Sequence, residues 1–427
     1  MRKTLLFIFT FMVLAASART NTGKPGLYVD GRYLYTPAGE KLILKGFNAM
    51  IVYWDLHGVV NFPEIEKTGA NCVRIFWKLD GWTPPASDLD KVLTNCIKNK
   101  MIPIICLWDA TGDWSKIQFC VNYWISPSVA AVLKKHEKNL IVNIANEPGN
   151  KAMGDAMFIE TYSGAVQQMR DAGIRAPLMI DADQWGRNAN SVLNTGGQLL
   201  ELDPEHNLIF SWHLWDPSNW GTGKIFEIDR IINTAVDKNI CFVVGEFGPC
   251  ERCDNCTSTK INWEYLIEKC HKNEIGYLPW VWRWSDCHSC ITYDPGKYGE
   301  WTNAPWGESV SVSHEYSIKN TAVRPEGMIT AAKFLPTPSV GVDVYPNPFT
   351  SAVTFRIHAG DYSDITLQVY SLTGAKVAVV DAYQQLEGFI QTTWNPEKEL
   401  RDGVYFYTLI AGKGGKENFF RGKFIKN

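Results

Sequence analysis

Eight short apolar runs constrain this chain's fold more than any other feature. They are LILKGFNAM (42–50), NCVRIFW (71–77), IPIICLWD (102–109), NLIVNIANE (139–147), PLMIDAD (177–183), NLIFSWHLW (207–215), CFVVGEFG (241–248) and GYLPWVWRW (276–284). Continuous apolar runs of this length suit strands buried on both faces, as in a parallel sheet. The segments between them are helical in pattern. Residues 87–100 open on Ser87-x-x-Asp90, which resembles a cap, and place Leu89, Val92, Leu93, Cys96 and Ile97 on one face. Residues 126–138 carry Pro127 in a first helical turn, and 157–173, 225–239, 261–274 and 326–334 continue the series. Residues 26–41, ahead of the first run, read as a hairpin with turns at Asp30-Gly31 and Ala38-Gly39. Eight strand–helix units predict a (β/α)₈ barrel in the α/β class. The alternative is a doubly wound open sheet. That fold usually carries a glycine-rich phosphate turn after its first strand, which Gly46-Phe47-Asn48-Ala49-Met50 is not.

The two ends read differently. Residues 1–18 have a basic start (Arg2, Lys3), an apolar stretch from Leu5 to Ala15 and the small residues Ala16-Ser17-Ala18. This is the pattern of a secretory signal peptide, cut before Arg19. A membrane anchor is the alternative, but a span wants about 20 apolar residues. Export permits disulfides. At the other end Pro336 and Pro338 mark a linker over 334–341. Beyond it, 342–427 alternates in short strands separated by turn residues, as a small all-β sandwich would. The catalytic-sized barrel domain is thus expected over 19–333.

In a barrel of this kind chemistry collects at the C-terminal ends of the strands. Arg74 lies in the second run. Asn146 and Glu147 end the fourth, His213 ends the sixth, Glu246 ends the seventh, and Trp282 lies in the eighth. A single glutamate so placed reads as an ordinary surface acid. Two glutamates ending strands around one cleft are what glycoside hydrolysis needs: one protonated to assist the leaving oxygen, the other ionised. Arg74 beside Glu246 would hold that carboxylate ionised, and a less polar setting would raise Glu147. His213 alone would more often be a satisfied core histidine. The 17 tryptophans are many for this length; such an excess often lines ligand clefts, though core packing accounts for much of it, and Trp185, Trp220, Trp284 and Trp306 are candidate sugar platforms beside the default of packing.

The stretches LKGFN, TGANCVRIF, DATG with a following VNYW, NIANEP, GEFG and PWVWRW occur in the order found in glycoside hydrolase family 5, which the chain resembles from about residue 25 to 330. DATG and IDADQWG point to the bacterial endo-β-mannanase branch. The resemblance implies Glu147 as general acid/base and Glu246 as nucleophile, in a double displacement with retained configuration. It implies Asn146 on the sugar 2-hydroxyl, Arg74 orienting Glu246, His213 lining the cleft near the acid/base, and Trp282 as the floor under the reacting sugar. It also predicts carboxyl groups about 5 Å apart. Trp108 stands where the family usually has His, and Trp215 where it usually has Tyr. Both replacements exchange polar groups for stacking surface, so they bear on whether the backbone sugar is mannan or glucan. Trp108, Trp185 and Trp215 join the expected substrate-binding set. The alternative is a non-catalytic carbohydrate-binding barrel.

The terminal motifs YPNPF, YSLTGAKV, DGVYFYTL and GKFIKN resemble the sorting domain of the type IX secretion system, which would make secretion machinery a partner. A carbohydrate-binding sandwich is the alternative. It would expose aromatics on one face, whereas Tyr405, Phe406 and Tyr407 are consecutive and must alternate faces.

Eleven cysteines remain to be placed. Cys250, Cys253 and Cys256 follow the seventh run, and Cys287 and Cys290 follow the eighth. Paired C-x₂-C spacings suit zinc, and the count would allow iron–sulfur ligation. Export favours disulfides pinning two neighbouring loops. Cys106 and Cys241 read as buried thiols. Hydrolysis by two carboxylates requires no metal or cofactor. A net charge of −3 without long charge runs gives no reason to expect nucleic acid. The expected partner is a polysaccharide, met by a monomer.

Overall fold

The computed structural model describes residues 24–326 and 341–427, apart from short stretches at 80, 82, 252–259, 285–286, 303–305, 359–363, 381–383, 387–388, 397–399 and 414–415. The expected signal peptide, most of the closing helical segment at 326–334 and all but the last residue of the linker lie outside the described residues. The chain divides between Ala332 and Lys333 into two compact units. Among the described residues no helix is long and apolar enough to cross a membrane.

The first unit is built on eight parallel strands: β1 (Gly46–Ala49), β2 (Cys72–Trp77), β3 (Ile102–Leu107), β4 (Ile141–Asn143), β5 (Leu178–Asp181), β6 (Leu208–Leu214), β7 (Phe242–Phe247) and β8 (Gly276–Tyr277). Each pairs with its neighbours in chain order. A parallel bridge between Lys45 and Tyr277 joins the last strand to the first, so the sheet closes. Tyr277 N donates to Leu44 O at 2.9 Å on that seam. Strands β2, β3, β6 and β7 are buried at every position, which is why their sequences are apolar runs rather than alternations.

The expected hairpin forms three antiparallel strands, Tyr28–Asp30, Tyr33–Tyr35 and Lys41–Leu42. Its Leu34 and Leu42 pack with Ile102, Ile141, Ile209 and Val243, which lie at the starts of β3, β4, β6 and β7. The hairpin therefore closes the barrel opposite the end where chemistry is expected. Five expected helices are present, at Ala86–Lys98, Pro127–His136, Asp155–Asp171, Ile225–Asp237 and Trp263–Lys272. The first bears no side-chain cap, because it begins after Pro85 and takes Ser87 into its interior. The eighth strand is much shorter than its apolar run. Regular pairing ends at Tyr277, ahead of Pro279, which has no N–H to give to a ladder. Yet the chain stays between its neighbours: Leu278 N donates to Val244 O at 2.9 Å and Trp280 N to Phe247 O at 2.8 Å.

The second unit is two four-stranded antiparallel sheets among the described residues. Val353, Phe355 and Ile357 of one share a core with Leu367, Val369, Tyr405, Tyr407 and Phe424 of the other. Tyr405 and Tyr407 are buried while Phe406 between them is exposed, so the three aromatics do alternate faces.

Candidate active site

The C-terminal ends of the strands converge on Arg74. This guanidinium, fully buried in β2, spends every nitrogen on a named partner. Its Nε donates to Asn143 Oδ1 at 2.9 Å, one terminal nitrogen to Glu246 Oε1 at 2.6 Å and Asn48 Oδ1 at 3.2 Å. The other donates to Asn146 Oδ1 at 2.7 Å, Asp181 Oδ2 at 2.8 Å and the Cys106 thiol at 3.3 Å. A buried cation needs this compensation, and its fixed fork in turn orients the side chains around it.

Glu246 is aimed by the backbone. The register of β6 and β7 slips between Val244 and Glu246, leaving Gly245 as an extra residue and placing Glu246 opposite His213. A Cβ on residue 245 would lie 2.2 Å from Ser211 Oγ and 2.9 Å from His213 Nε2, so the bulge accepts only glycine without rearrangement. Trp215 Nε1 donates to Glu246 Oε2 at 3.2 Å. Replacing a phenol by an indole at this place therefore keeps a donor on the carboxylate.

Glu147 lies beyond β4 with φ +42°, a left-handed conformation that a side chain rarely adopts. Its N–H is held by Asp181 Oδ2 at 3.1 Å, and its carbonyl accepts from Gly112 N at 2.9 Å. Its Oε1 lies 2.7 Å from His213 Nδ1, which is itself 3.6 Å from Glu246 Oε2. One carboxylate oxygen of each glutamate and the His213 ring nitrogen all fall within 4.8 Å of one another. Asn146 donates from Nδ2 to Thr111 Oγ1 at 2.8 Å, so a second amide hydrogen remains for a ligand.

Burial raises both carboxyls, but unequally. Glu147 is pushed up to about 8 by burial and by the charge of Asp181, with Arg74 and Arg187 pulling back. Glu246 is pushed up to about 7 by burial, while His213 and Arg74 pull it down. Arg74 thus does not keep Glu246 in the ordinary carboxylate range, but it leaves Glu246 the more acidic of the two. Burial lowers His213, which favours a neutral ring.

The open cleft above these groups, about 460 Å³, is lined by Trp108, Asn146, Glu147, Trp185, Trp215 and Glu246 from the expected set. Trp282 is not among its walls. It is fully buried, meets Phe47 edge-on at 5.3 Å, and gives its N–H to Pro295 O at 3.2 Å. Trp282 N donates to Asn48 O at 2.8 Å while its indole points into the core, and the indoles brought to the cleft are Trp280 and Trp284. Trp306 is likewise a core residue, donating to Ser289 O at 3.0 Å. Asp181 ends β5 fully buried at the centre of the site, and the strand-end rule that picked out Glu147 and Glu246 would have found it too. Arg187, Glu251, Asn48 and Asn143 carried no comparable sequence signal.

Cys250 and Cys287 are disulfide-bonded, so neither is available as a zinc thiolate. Cys290 keeps its thiol and hydrogen-bonds the Trp284 backbone at 3.3 Å. Cys253 and Cys256 lie outside the described residues. Cys106 and Cys241 are buried thiols, as expected.

A closed (β/α)₈ barrel with two facing carboxylates at its strand ends is the frame of a glycoside hydrolase. Residues 41–286 match the cellulase family, glycosyl hydrolase family 5, and the chain belongs to it. Residues 343–421 match the secretion system C-terminal sorting domain, so the second unit is an export address. The chain is 30% identical over 263 residues to a mannan endo-1,4-beta-mannosidase of Salipaludibacillus agaradhaerens, covering 60% of this chain and 82% of the relative. It is 24% identical to a protein of the same name from Cellvibrio japonicus, covering 75% of this chain and 73% of that one. The mannohexaose complex of Thermomonospora fusca beta-mannanase superposes with a TM-score of 0.62 at 26% identity, covering 71% of this chain and 99% of that one.

Proposed function

We propose that this exported glycoside hydrolase is a retaining endo-β-1,4-mannanase. The observation that carries the chemistry is the carboxyl pair within 4.8 Å, made unequal by Arg74 and Trp215 on one member. Retaining glycosidases hold their carboxyls about 5–5.5 Å apart, whereas inverting ones need room for water between them. Glu246 attacks the anomeric carbon as the bond to the leaving oxygen breaks, and Glu147 gives that oxygen its proton. Glu147 then takes a proton from water as the water oxygen attacks the same carbon and releases Glu246. Two inversions leave the configuration unchanged. Asn146 binds the 2-hydroxyl of the reacting sugar with its remaining amide hydrogen, and Trp108, Trp215, Trp280 and Trp284 wall that sugar. Mannan is the substrate by similarity to the relatives. The protein acts as a monomer, with a signal peptide at 1–18, the catalytic domain at 19–333, a linker at 334–341 and the sorting domain at 342–427.

The test is reducing-sugar release from glucomannan, galactomannan, carboxymethylcellulose, mixed-linkage glucan and xyloglucan side by side. Activity on the mannans is expected. Activity on glucans alone keeps the mechanism and overturns the substrate. Binding without release of sugar from any of them would make the barrel a carbohydrate-binding protein.

The order of the two carboxyls sets a pH profile. Below about 7 Glu246 gains a proton and cannot attack, and above about 8 Glu147 loses the proton it must donate. The kcat/KM on a soluble manno-oligosaccharide is therefore expected to be bell-shaped, peaking near neutrality to mildly alkaline pH. Each outer flank should fall about tenfold per pH unit. A maximum below pH 6, measured across the range at constant ionic strength, would contradict the assignment.

A further inference from the structure

A groove of about 500 Å³ beside the catalytic cleft is lined by Trp185, Arg187, Asn190, Trp220, Glu227 and Arg230, among others. It shares Trp185 and Arg187 with the cleft, so the two are continuous. Trp220 is 59% exposed and Trp185 45%. Indoles so exposed gain little from folding. Both are nevertheless held on well-bonded turns. Gln184 and Trp185 both have φ +54°, and Trp185 N donates to Gly149 O at 3.0 Å. Asp216 Oδ2 accepts from both Thr222 N and Thr222 Oγ1 at 2.7 Å, tying the turn that presents Trp220. Arg187 bridges the two: its Nε donates to Asp216 Oδ1 at 2.8 Å, and its guanidinium lies 5.6 Å from the Trp220 ring centre. Strained backbone at two consecutive residues, spent on presenting an indole to solvent, marks a ligand platform rather than a packing element.

We propose that Trp185 and Trp220 form a second sugar platform that grips the leaving-group arm of the polysaccharide. The inference rests on the glycanase reading above and extends it. Direction follows from the acid. The general acid must face the bond being broken, so the units beyond that bond extend on its side of the cleft. Arg187, shared by cleft and groove, is close enough to Glu147 to act on its charge. The indole wall of Trp108, Trp215, Trp280 and Trp284 gathers instead around Glu246. Of the groove's charges, Arg187 is paired with Asp216 and Arg230 with Glu227, and the Lys224 ammonium lies 5.9 Å from the Phe226 ring centre, so most of the lining suits an uncharged chain of pyranose faces.

The experiment compares Trp220→Ala and Trp220→Phe with the wild-type enzyme on mannohexaose and on an aryl β-mannobioside, whose leaving group is too short to reach the groove. For Trp220→Ala, kcat/KM on the hexaose is expected to fall about tenfold more than on the aryl substrate. The loss should appear mainly in KM, and Trp220→Phe should restore most of it. Equal losses on the two substrates, or none on the hexaose, overturn the platform. A wild-type enzyme that cleaves only cello-oligosaccharides overturns the mannan reading alone, and the same comparison on that series then decides the platform. Inactivity on both series overturns both.

Discussion

Glu246→Gln is expected to lower kcat on mannan by on the order of 10⁴-fold or more, about 5.5 kcal/mol of barrier. The substitution removes the charge of the proposed nucleophile while keeping the side chain's size. Arg74 retains an acceptor in the amide oxygen, and the rest of its shell is untouched. The fold should survive, with a melting temperature within a few degrees of wild type and polysaccharide affinity measurable by titration. Glu147→Gln should behave differently. It ought to spare the first step on a substrate with an activated aryl leaving group, which needs no protonation, and an aryl burst should precede slow turnover. A Glu246→Gln enzyme within tenfold of wild type would remove Glu246 from the nucleophile's role.

The second large effect is structural as well as catalytic. Arg74→Met is expected to cost about 3–5 kcal/mol of stability, since it leaves buried carboxylates without their cation. Glu246 and Asp181 would lose their ion pair, and Asn48, Asn143 and Asn146 would lose a donor. For a domain of this size the melting temperature should drop by roughly 6–10 °C. The sign of the pH effect follows from the same charges. Arg74 pulls Glu246 down, so its removal raises that carboxyl and moves the acid limb of kcat/KM towards alkaline pH. Arg74→Lys should recover part of the stability, because a single ammonium cannot replace a fork with so many partners. Calorimetry with a pH profile checks both claims. A variant as stable as wild type with an unmoved acid limb would refute them.

Much of this was legible in the sequence, for physical reasons. Strands buried on both faces must be apolar throughout, so β2, β3, β6 and β7 announced themselves, and the polar residues that end them stood out. Asp181 ends β5 in the same manner, but its run carries a second acid two residues on, Asp183, and the sequence alone does not show which of the two faces Arg74. The resemblance assigns the cleft floor to Trp282, whereas Trp280 and Trp284 wall the cleft, because a run with an indole at every second position does not show which of them faces the ligand. The helix at Ala189–Leu202 was missed for a different reason. Gly196 and Gly197 lower its local propensity, yet Gly196 is buried, and a Cβ there would come within 3.2 Å of Phe210. Packing against β6 overrides propensity at that point. Cysteine spacing could not separate zinc from disulfides, since both chemistries accept it. Backbone devices such as the left-handed Glu147 left no trace in composition.

The slipped register at Gly245 also bears on how such an enzyme can diverge. Loops beyond the strand ends can lengthen or shorten at small entropic cost, so lineages are free to remodel what surrounds the substrate. Within β7 the chain has already used its one extra residue to turn Glu246 towards His213. One further insertion or deletion upstream would face that carboxylate into the packed wall, and no point substitution elsewhere could turn it back. New specificities in this scaffold should therefore arise by indels outside the barrel, around a strand whose length is frozen.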